Sequence, residues 1–307
     1  MRYKKILITG GCGFVGSSLA LRFKRLLPKS HIIACDNFFR RGSKLNIPRL
    51  EAADIEVIRG DVRRRKTFDQ FYDVDLIIDC AAEPSSLAGK NSSPLYALET
   101  NIFGTIQCLE LARRTGAHTL FLSTSRVYPI HELNSIEVVE TKTRFELASR
   151  QRLPGVSSRG ISEAFPLGTQ RTLYGASKLA SEMIISEYEL LYDTRAIINR
   201  CGAIAGPWQF GKIDQGIAAL WMARHFFANQ GIIYIGFGGT GKQVRDFLHP
   251  DDLFLALKYQ LEHFKMFSGQ ICNLGGGPKT SASLVELTEI CERITGNSKP
   301  TFTKEFI

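Results

Sequence analysis

The chain has 307 residues, 44% hydrophobic and 22% charged, with a formal net charge of +9. That composition supports a sizeable core, as one large domain or two intimate lobes, and excludes a disordered or low-complexity chain. The longest apolar runs, such as Leu76-Ile77-Ile78 and Ile232-Ile233-Tyr234-Ile235, are strand-sized, far short of the ~20 residues that cross a bilayer.

Seven cysteines (Cys12, Cys35, Cys80, Cys108, Cys201, Cys272, Cys291) are scattered and never spaced as Cys-x-x-Cys. Reduced thiols acting as small apolar side chains are expected, with neither a disulfide framework nor a metal site. The N-terminus enters a strand pattern at once, and a glycine turn follows where a signal peptide would keep its apolar core. A cytoplasmic chain without a membrane partner is therefore expected. The basic runs Arg40-Arg41 and Arg63-Arg64-Arg65-Lys66 read as solvated surface, or as a field that attracts an anionic small molecule. No nucleic-acid motif accompanies them, so no nucleic-acid partner is expected.

In chain order, Lys5 to Thr9 is a β-rich run and Phe14 to Leu27 a helix. His31 to Asp36, Ile55 to Arg59 and Val74 to Cys80 are further strands. Pro94 to Thr115 has helical periodicity, and Thr119 to Thr124 is again strand-like. Such alternation predicts an α/β fold, a Rossmann-like doubly wound parallel sheet whose strand ends bind ligand at one edge. Residues 129–172 break the rhythm, being polar and rich in Arg, Ser and Gly, and a loop of that length is expected to be functional or mobile. A helix resumes over Tyr174 to Leu191 and a strand over Arg195 to Arg200. Beyond that, helices Gln215 to Ala228, Asp251 to His263 and Leu284 to Ile294 mix with short strands. Residues 1–202 are read as a dinucleotide-binding domain and 203–307 as a smaller, interleaved substrate lobe.

Between the first strand and the first helix stands Gly10-Gly11-Cys12-Gly13-Phe14-Val15-Gly16. Glycines there allow tight curvature and close approach of a pyrophosphate, to which the helix N-terminus offers unpaired N–H groups and partial positive charge. Asp36 ends the next strand, where a carboxylate accepts hydrogen bonds from an adenosine ribose and repels a 2′-phosphate. NAD is thus expected over NADP, although Arg40 and Arg41 lie near. Asp61 is placed for an adenine contact, or simply for a helix N-cap.

Tyr174-Gly175-Ala176-Ser177-Lys178 sets a tyrosine and a lysine four apart at a helix start, hence on one face. A phenol with a pKa of ~10 is a poor base near neutrality unless a neighbouring ammonium stabilises its phenolate. Ser123-Thr124-Ser125 ends the fifth strand, where the Thr124 hydroxyl would polarise a sugar hydroxyl or the carbonyl formed from it; plain capping is the other reading.

The glycine turn, Asp36, Thr124, Tyr174 and Lys178, with Asn101 in Asn101-Ile102-Phe103-Gly104-Thr105, occur in the order and spacing of the extended short-chain dehydrogenase/reductases. The chain resembles that family, with its NAD-dependent epimerases and dehydratases, along essentially its whole length. The resemblance implies that Tyr174 is the acid/base, that Lys178 positions it and the nicotinamide ribose, and that Thr124 assists. It implies a cofactor site of Gly10, Gly13, Phe14, Val15, Gly16, Asp36, Asn37, Arg40, Asp61, Val62, Ala81, Ala82, Asn101, Ser123, Tyr174 and Lys178. It also implies a homodimer through helices near 94–115 and 174–191.

Segments 36–42, 140–145, Gln209-Phe210, Asp214-Gln215-Gly216 and 241–249 are similar to those of the CDP-paratose 2-epimerase (CDP-tyvelose epimerase) group. That implies a nucleotide-sugar substrate, a CDP-sugar, oxidised at C2, rotated as the ketone and reduced on its other face. Arg245 would then hold the diphosphate, or else pair with Asp246 or Asp252, and Gln209 and Gln215 would contact sugar or base, or else be ordinary surface residues.

The chain departs from the group at Asp79, where a histidine is usual, and at Glu83, where a glutamine is usual. Glu83 would hydrogen-bond a sugar hydroxyl and so alter sugar choice. Tyr128 is followed by Pro129 in place of Gly, and the sequence stops at Ile307, before a segment expected to complete the substrate lobe. Ser125-Arg126 stands where 4,6-dehydratases carry an acidic pair, which disfavours dehydration. A UDP-sugar 4-epimerase shares the triad and is the alternative, and a non-catalytic NAD-binding sensor is a third reading.

Overall fold

The computed structural model describes residues 3–90, 93–211, 215–227 and 231–304. The chain divides into two compact units. The first comprises residues 1–127, 171–201 and 250–274, and the second 128–170, 202–249 and 275–307.

The first unit is built on seven strands: β1 (Lys5–Thr9), β2 (His31–Asp36), β3 (Glu56–Arg59), β4 (Leu76–Asp79), β5 (His118–Thr124), β6 (Arg195–Cys201) and β7 (Ile271–Leu274). They lie in the order β7-β6-β5-β4-β1-β2-β3, every neighbouring pair parallel. The strand order reverses between β1 and β4, the point where open α/β sheets form a ligand crevice at their carboxyl ends.

The strand sequences explain the arrangement. Ile6, Leu7, Ile8, Leu76, Ile77, Ile78, Leu120 and Phe121 are inaccessible to solvent. Continuous apolar runs suit strands covered on both faces. The covering helices include α1 (Phe14–Leu26), α2 (Gly104–Thr115) and α3 (Leu173–Tyr192). One core cluster joins Leu7, Ile33, Ile77 and Phe68 to Cys108, Leu111 and Ala112 of α2, and another joins Phe121, Ala196 and Ile198 to Ile185 of α3.

The predicted helix 94–115 is helical throughout but not uniform. A four-residue α-turn, Leu95–Leu98, runs into a π-helical turn, Glu99–Phe103, and only then into α2. α2 ends at Gly116 in the left-handed conformation, its N–H on Ala112 O at 2.8 Å, as a helix C-cap requires.

Within the second unit, residues 203–204, 244–248 and 281–283 form a three-stranded sheet, and 232–235 pairs in parallel with 301–304. Trp221, Ile232, Tyr234, Leu284, Leu287 and Cys291 pack as its core. The indole N–H of Trp221 and the Tyr234 hydroxyl both donate to Thr288 Oγ1 at 2.9 Å. Helix Leu284–Thr295 opens with a capping box, in which Ser283 and Glu286 each satisfy the other's backbone N–H.

The stretch 129–172, irregular by sequence, holds a short helix Ile130–Asn134 and two hairpins, Val138–Glu140 with Phe145–Leu147 and Val156–Ser157 with Gly160–Ile161. Helix Gln215 to Ala228 is observed as Ile217–Phe227, while Ala228 and Asp214 lie outside the described residues. Among the described residues no helix is long and apolar enough to cross a membrane.

Candidate active site

The carboxyl edge of the first unit's sheet begins with the glycine turn. Gly10 has φ +60°, open to glycine at little cost, and a side chain there would press on Ala81 at the end of β4. A Cβ on Gly16 would stand 2.3 Å from Gly10 O, so the turn closes only with glycine at both places. Gly13 is the N-cap of α1, extended and without a capping side chain, and no acidic residue occupies the first turn. The N–H groups at that helix end therefore remain available to an anion. Phe14 and Val15 are half-buried in the same turn.

Asp36 closes β2 beside this turn. Its carboxylate accepts from the backbone N–H of Phe38 at 2.8 Å and of Cys12 at 3.1 Å, which ties it to the glycine loop. Burial pushes its pKa up, and those backbone donors oppose the shift. Arg40 and Asn37 follow, both half-buried.

Asp61 is not a helix cap: the next helical turn, Arg65–Phe68, is preceded by Arg64. Arg63 grips Asp61 with two guanidinium nitrogens, Nη2 at 2.7 Å and Nε at 3.0 Å, and holds its carboxyl below the usual range. The same guanidinium lies 4.7 Å from the Tyr96 ring centroid, and Tyr96 packs on Phe39. Val62 is buried beside Asp61, and the Asn37 side chain accepts from Phe39 N at 3.0 Å. Sequence reading missed Arg63 and Tyr96, because the charge run around Arg63 reads as solvated surface.

Asn101, fully buried in the π-helical turn, acts as a clamp. Its Oδ1 accepts from Glu83 N at 2.8 Å, while its Nδ2 donates to Glu83 O at 3.2 Å and to Ser177 Oγ at 2.8 Å. It thereby fixes the segment after β4, which carries Ala81, Ala82 and Glu83, against the first turns of α3. The Glu83 side chain turns back to accept from Ser85 N at 3.2 Å.

Thr124 ends β5, and Ser125–Val127 follow as a tight turn with Arg126 N donating to Thr124 Oγ1 at 3.2 Å. The start of α3 packs directly on that turn. Thr172 caps the helix through Gly175 N at 3.2 Å, and a Cβ on Gly175 would meet Arg126 O at 2.0 Å. Glycine at 175 thus lets the helix start that carries Tyr174 sit close on the turn after Thr124. Burial pushes the Tyr174 phenol up to about 12, the Thr124 bond and the Arg126 charge act downward, and the Glu83 charge acts upward.

One turn further along, Lys178 is 1% exposed with its Nζ 3.8 Å from the Phe121 ring centroid. One more turn along stands Glu182, also buried. It takes Arg200 at 2.7 to 3.2 Å through both oxygens and the hydroxyl of Ser123. The sequence signal for Glu182 was its i,i+4 spacing from Lys178.

The other candidates belong to the second unit. Arg245 donates to Val244 O at 2.8 Å and stands beside Asp246, whose carboxyl burial pushes up. Gln209 donates to Ile204 O at 2.9 Å, and its buried Oε1 has no partner among the described residues. Gln215 is half-buried just before helix Ile217–Phe227.

Comparison with known proteins places this geometry. Residues 6–275 match the family described as NAD dependent epimerase/dehydratase. CDP-paratose 2-epimerase of Salmonella typhi is 29% identical over 294 residues, covering 94% of this chain and 83% of that protein. A putative UDP-glucose 4-epimerase of Methanocaldococcus jannaschii is 27% identical, covering 95% and 82%. Among solved structures, UDP-glucuronic acid 4-epimerase of Bacillus cereus with UDP-glucuronic acid and NAD superposes with a TM-score of 0.79, covering 98% of this chain and 86% of that one. At 23% identity that likeness is one of fold. The glycine cradle, the free helix end and Asp36 fit the adenosine diphosphate half of NAD, and the chain belongs to the NAD dependent epimerase/dehydratase family, whose cofactor is NAD and whose substrates are nucleotide-sugars.

Proposed function

We propose that the protein is an NAD-dependent nucleotide-sugar epimerase of the 2-epimerase type, with a CDP-6-deoxyhexose as substrate. The observation that carries this reading is the close packing of the helix start that carries Tyr174 on the turn after Thr124, with the Lys178 amine buried one helical turn beyond. Bound NAD would accept a hydride from the sugar carbon, return it to the opposite face, and add positive charge near the phenol. The protein's own part is acid–base. Tyr174 takes the proton of the sugar hydroxyl being oxidised and gives it back after the ring has turned. Thr124 shares a hydrogen bond with the same oxygen, and the Lys178 ammonium favours the phenolate.

Ser125-Arg126 supplies no carboxyl pair after Thr124, which counts against elimination of water. The likeness to CDP-paratose 2-epimerase over 94% of the chain supports a CDP-sugar and C2 chemistry. Arg245 is the proposed diphosphate ligand, its planar fork being suited to paired phosphate oxygens. Gln209, with a buried acceptor lacking a partner among the described residues, is proposed to meet a donor on sugar or base, with Gln215 and Glu83 as further sugar contacts.

The test has two parts. Native mass spectrometry of the purified protein is expected to find retained NAD. Proton NMR of reactions with CDP-, UDP-, GDP- and dTDP-hexoses is expected to show inversion at C2 of a CDP-sugar. Inversion at C4 of a UDP-sugar instead would replace this reading with the 4-epimerase one. Bound NAD without turnover of any nucleotide-sugar would point to a sensor.

A further inference from the structure

The face of the sheet beneath Lys178 holds a buried carboxyl group that the proton-transfer scheme above does not use. Thr9, Asp79, Phe121 and Ile198 stand in register across β1, β4, β5 and β6. Residues in register on parallel strands point to the same face, and neighbouring strands lie roughly 4.7–4.9 Å apart. Phe121 on this row carries Lys178 Nζ 3.8 Å from its ring centroid. Asp79, next to Phe121, is 1% exposed, and the hydroxyls of Thr9 and Thr105 lie 2.7 and 2.9 Å from its two oxygens. The amine and the carboxyl group are therefore neighbours in one dry layer.

Hydrogen bonds tie this layer to the helix on both sides of Lys178. Thr105 Oγ1 is also 2.9 Å from Asn101 O, and Ser181 Oγ donates to that same carbonyl at 2.9 Å. The Asn101 amide donates to Ser177 Oγ at 2.8 Å. Ser177 and Ser181 bracket Lys178 on α3. The chain of contacts thus runs from Asp79 through Thr105 and Asn101 to the turn that carries the amine.

A buried ammonium without a counter-charge gives up its proton, since desolvation disfavours the charged form. Burial does act downward on Lys178, and Asp79 is the foremost group opposing it, ahead of Glu182. Glu182 is already engaged by both Arg200 and Ser123. The Cys80 and Cys201 thiols also face the amine, and burial pushes both up, so neither supplies negative charge near neutrality.

We propose that Asp79 is the counter-ion of Lys178, a positioning residue that keeps the buried amine charged and aimed along α3 towards Tyr174. It acts through Lys178, with no contact to substrate of its own. The proposal rests on reading Lys178 as the partner of Tyr174 in proton transfer. It gives the carboxylate that replaces the usual histidine at this strand end a role in the acid–base chemistry.

The test is a pH titration of Lys178 by NMR, using the full chain with NAD and 13C-lysine label. The Lys178 Cε signal is assigned by its loss in Lys178→Arg. In Asp79→Asn the amine is expected to titrate at least about one pH unit below its position in the native chain, a tenfold change in its acidity constant. Asp79→Glu is expected to restore much of the shift. An Asp79→Asn curve that coincides with the native one would overturn the proposal. Should the Asn variant fail to fold, the native curve decides: an amine charged at pH 7 supports the assignment, and one neutral at pH 7 overturns it. A shifted Lys178 in a protein that epimerises no nucleotide-sugar would leave the counter-ion standing and sink the functional reading. Turnover with an unshifted Lys178 would do the reverse.

Discussion

Tyr174 is a phenol that holds its proton more tightly than a free tyrosine, near 12 against an ordinary 10, because burial penalises the phenolate. Its usefulness as a base therefore depends on nearby charge. Tyr174→Phe removes the transferable proton and nothing else of similar size. The turnover number for sugar oxidation is expected to fall by about 10²–10⁴-fold, with NAD affinity unchanged by calorimetry. Retention of native turnover would remove Tyr174 from the chemistry. Arg200 offers a contrasting case. It and Glu182 are each 3% exposed at the side chain and joined at 2.7 Å, so neither charge tolerates losing the other. Arg200→Ala strands a buried carboxylate and is expected to cost about 3–5 kcal/mol of stability, read as a lowered urea midpoint. A double variant, Arg200→Met with Glu182→Leu, is expected to recover most of that loss. Tyr174 and Lys178 are legible in the sequence because four residues on one helix fix their common face. Asp79 and Arg200 are not, because each meets its partner only after distant strands have come into register.

Among the elements, α3 shows how a backbone contact sets a chemical distance. Its first turn has no room for a side chain at position 175, where a Cβ would lie 2.0 Å from Arg126 O. Gly175→Ala must push the helix start away from the turn that follows Thr124. Overpacking of that kind costs about 1–3 kcal/mol. The more telling consequence is expected in the kinetics: kcat should fall with KM little changed, because Tyr174 withdraws from Thr124 while the rest of the site stays. A variant that lost stability but kept kcat would show that the contact is structural only. The π-helical turn Glu99–Phe103 makes a related point. Apolar periodicity makes the helix over 94–115 legible, but it carries no trace of a one-residue widening. That widening leaves the Asn101 carbonyl facing the hydroxyls of Thr105, one turn on, and of Ser181 on α3. The hairpins inside 129–172 were hidden for a different reason: strands of two or three residues are too short for a period-2 pattern to show.

For the molecule as a whole, the doubly wound sheet is legible because its first five strands each carry an apolar run, and the first four stop at a glycine or an acidic residue. How the segments share between two units is less so. Residues 250–274 return to the first unit to supply its last strand, and 128–170 cluster with the second. Such exchanges follow from long-range contacts that leave little mark on composition. The first unit also shows apolar side chains that its own core does not cover. On α3, Met183, Leu190, Leu191 and Tyr192 are 66%, 79%, 65% and 51% exposed, and Leu95 and Phe103 on the neighbouring helical stretch are 60% and 47% exposed. The two stretches are fastened together by Tyr188 OH on Glu110 at 2.9 Å and by Arg113 over the Tyr192 ring. Apolar groups clustered on adjacent helices are costly in water and suit a self-complementary interface. A homodimer through this surface is therefore expected at micromolar concentration by analytical ultracentrifugation. Leu190→Glu together with Met183→Glu should yield a monomer that still binds NAD, because the glycine turn and Asp36 lie on other elements. A native chain that sediments as a monomer at all concentrations would rule the dimer out and leave that surface without an assigned partner.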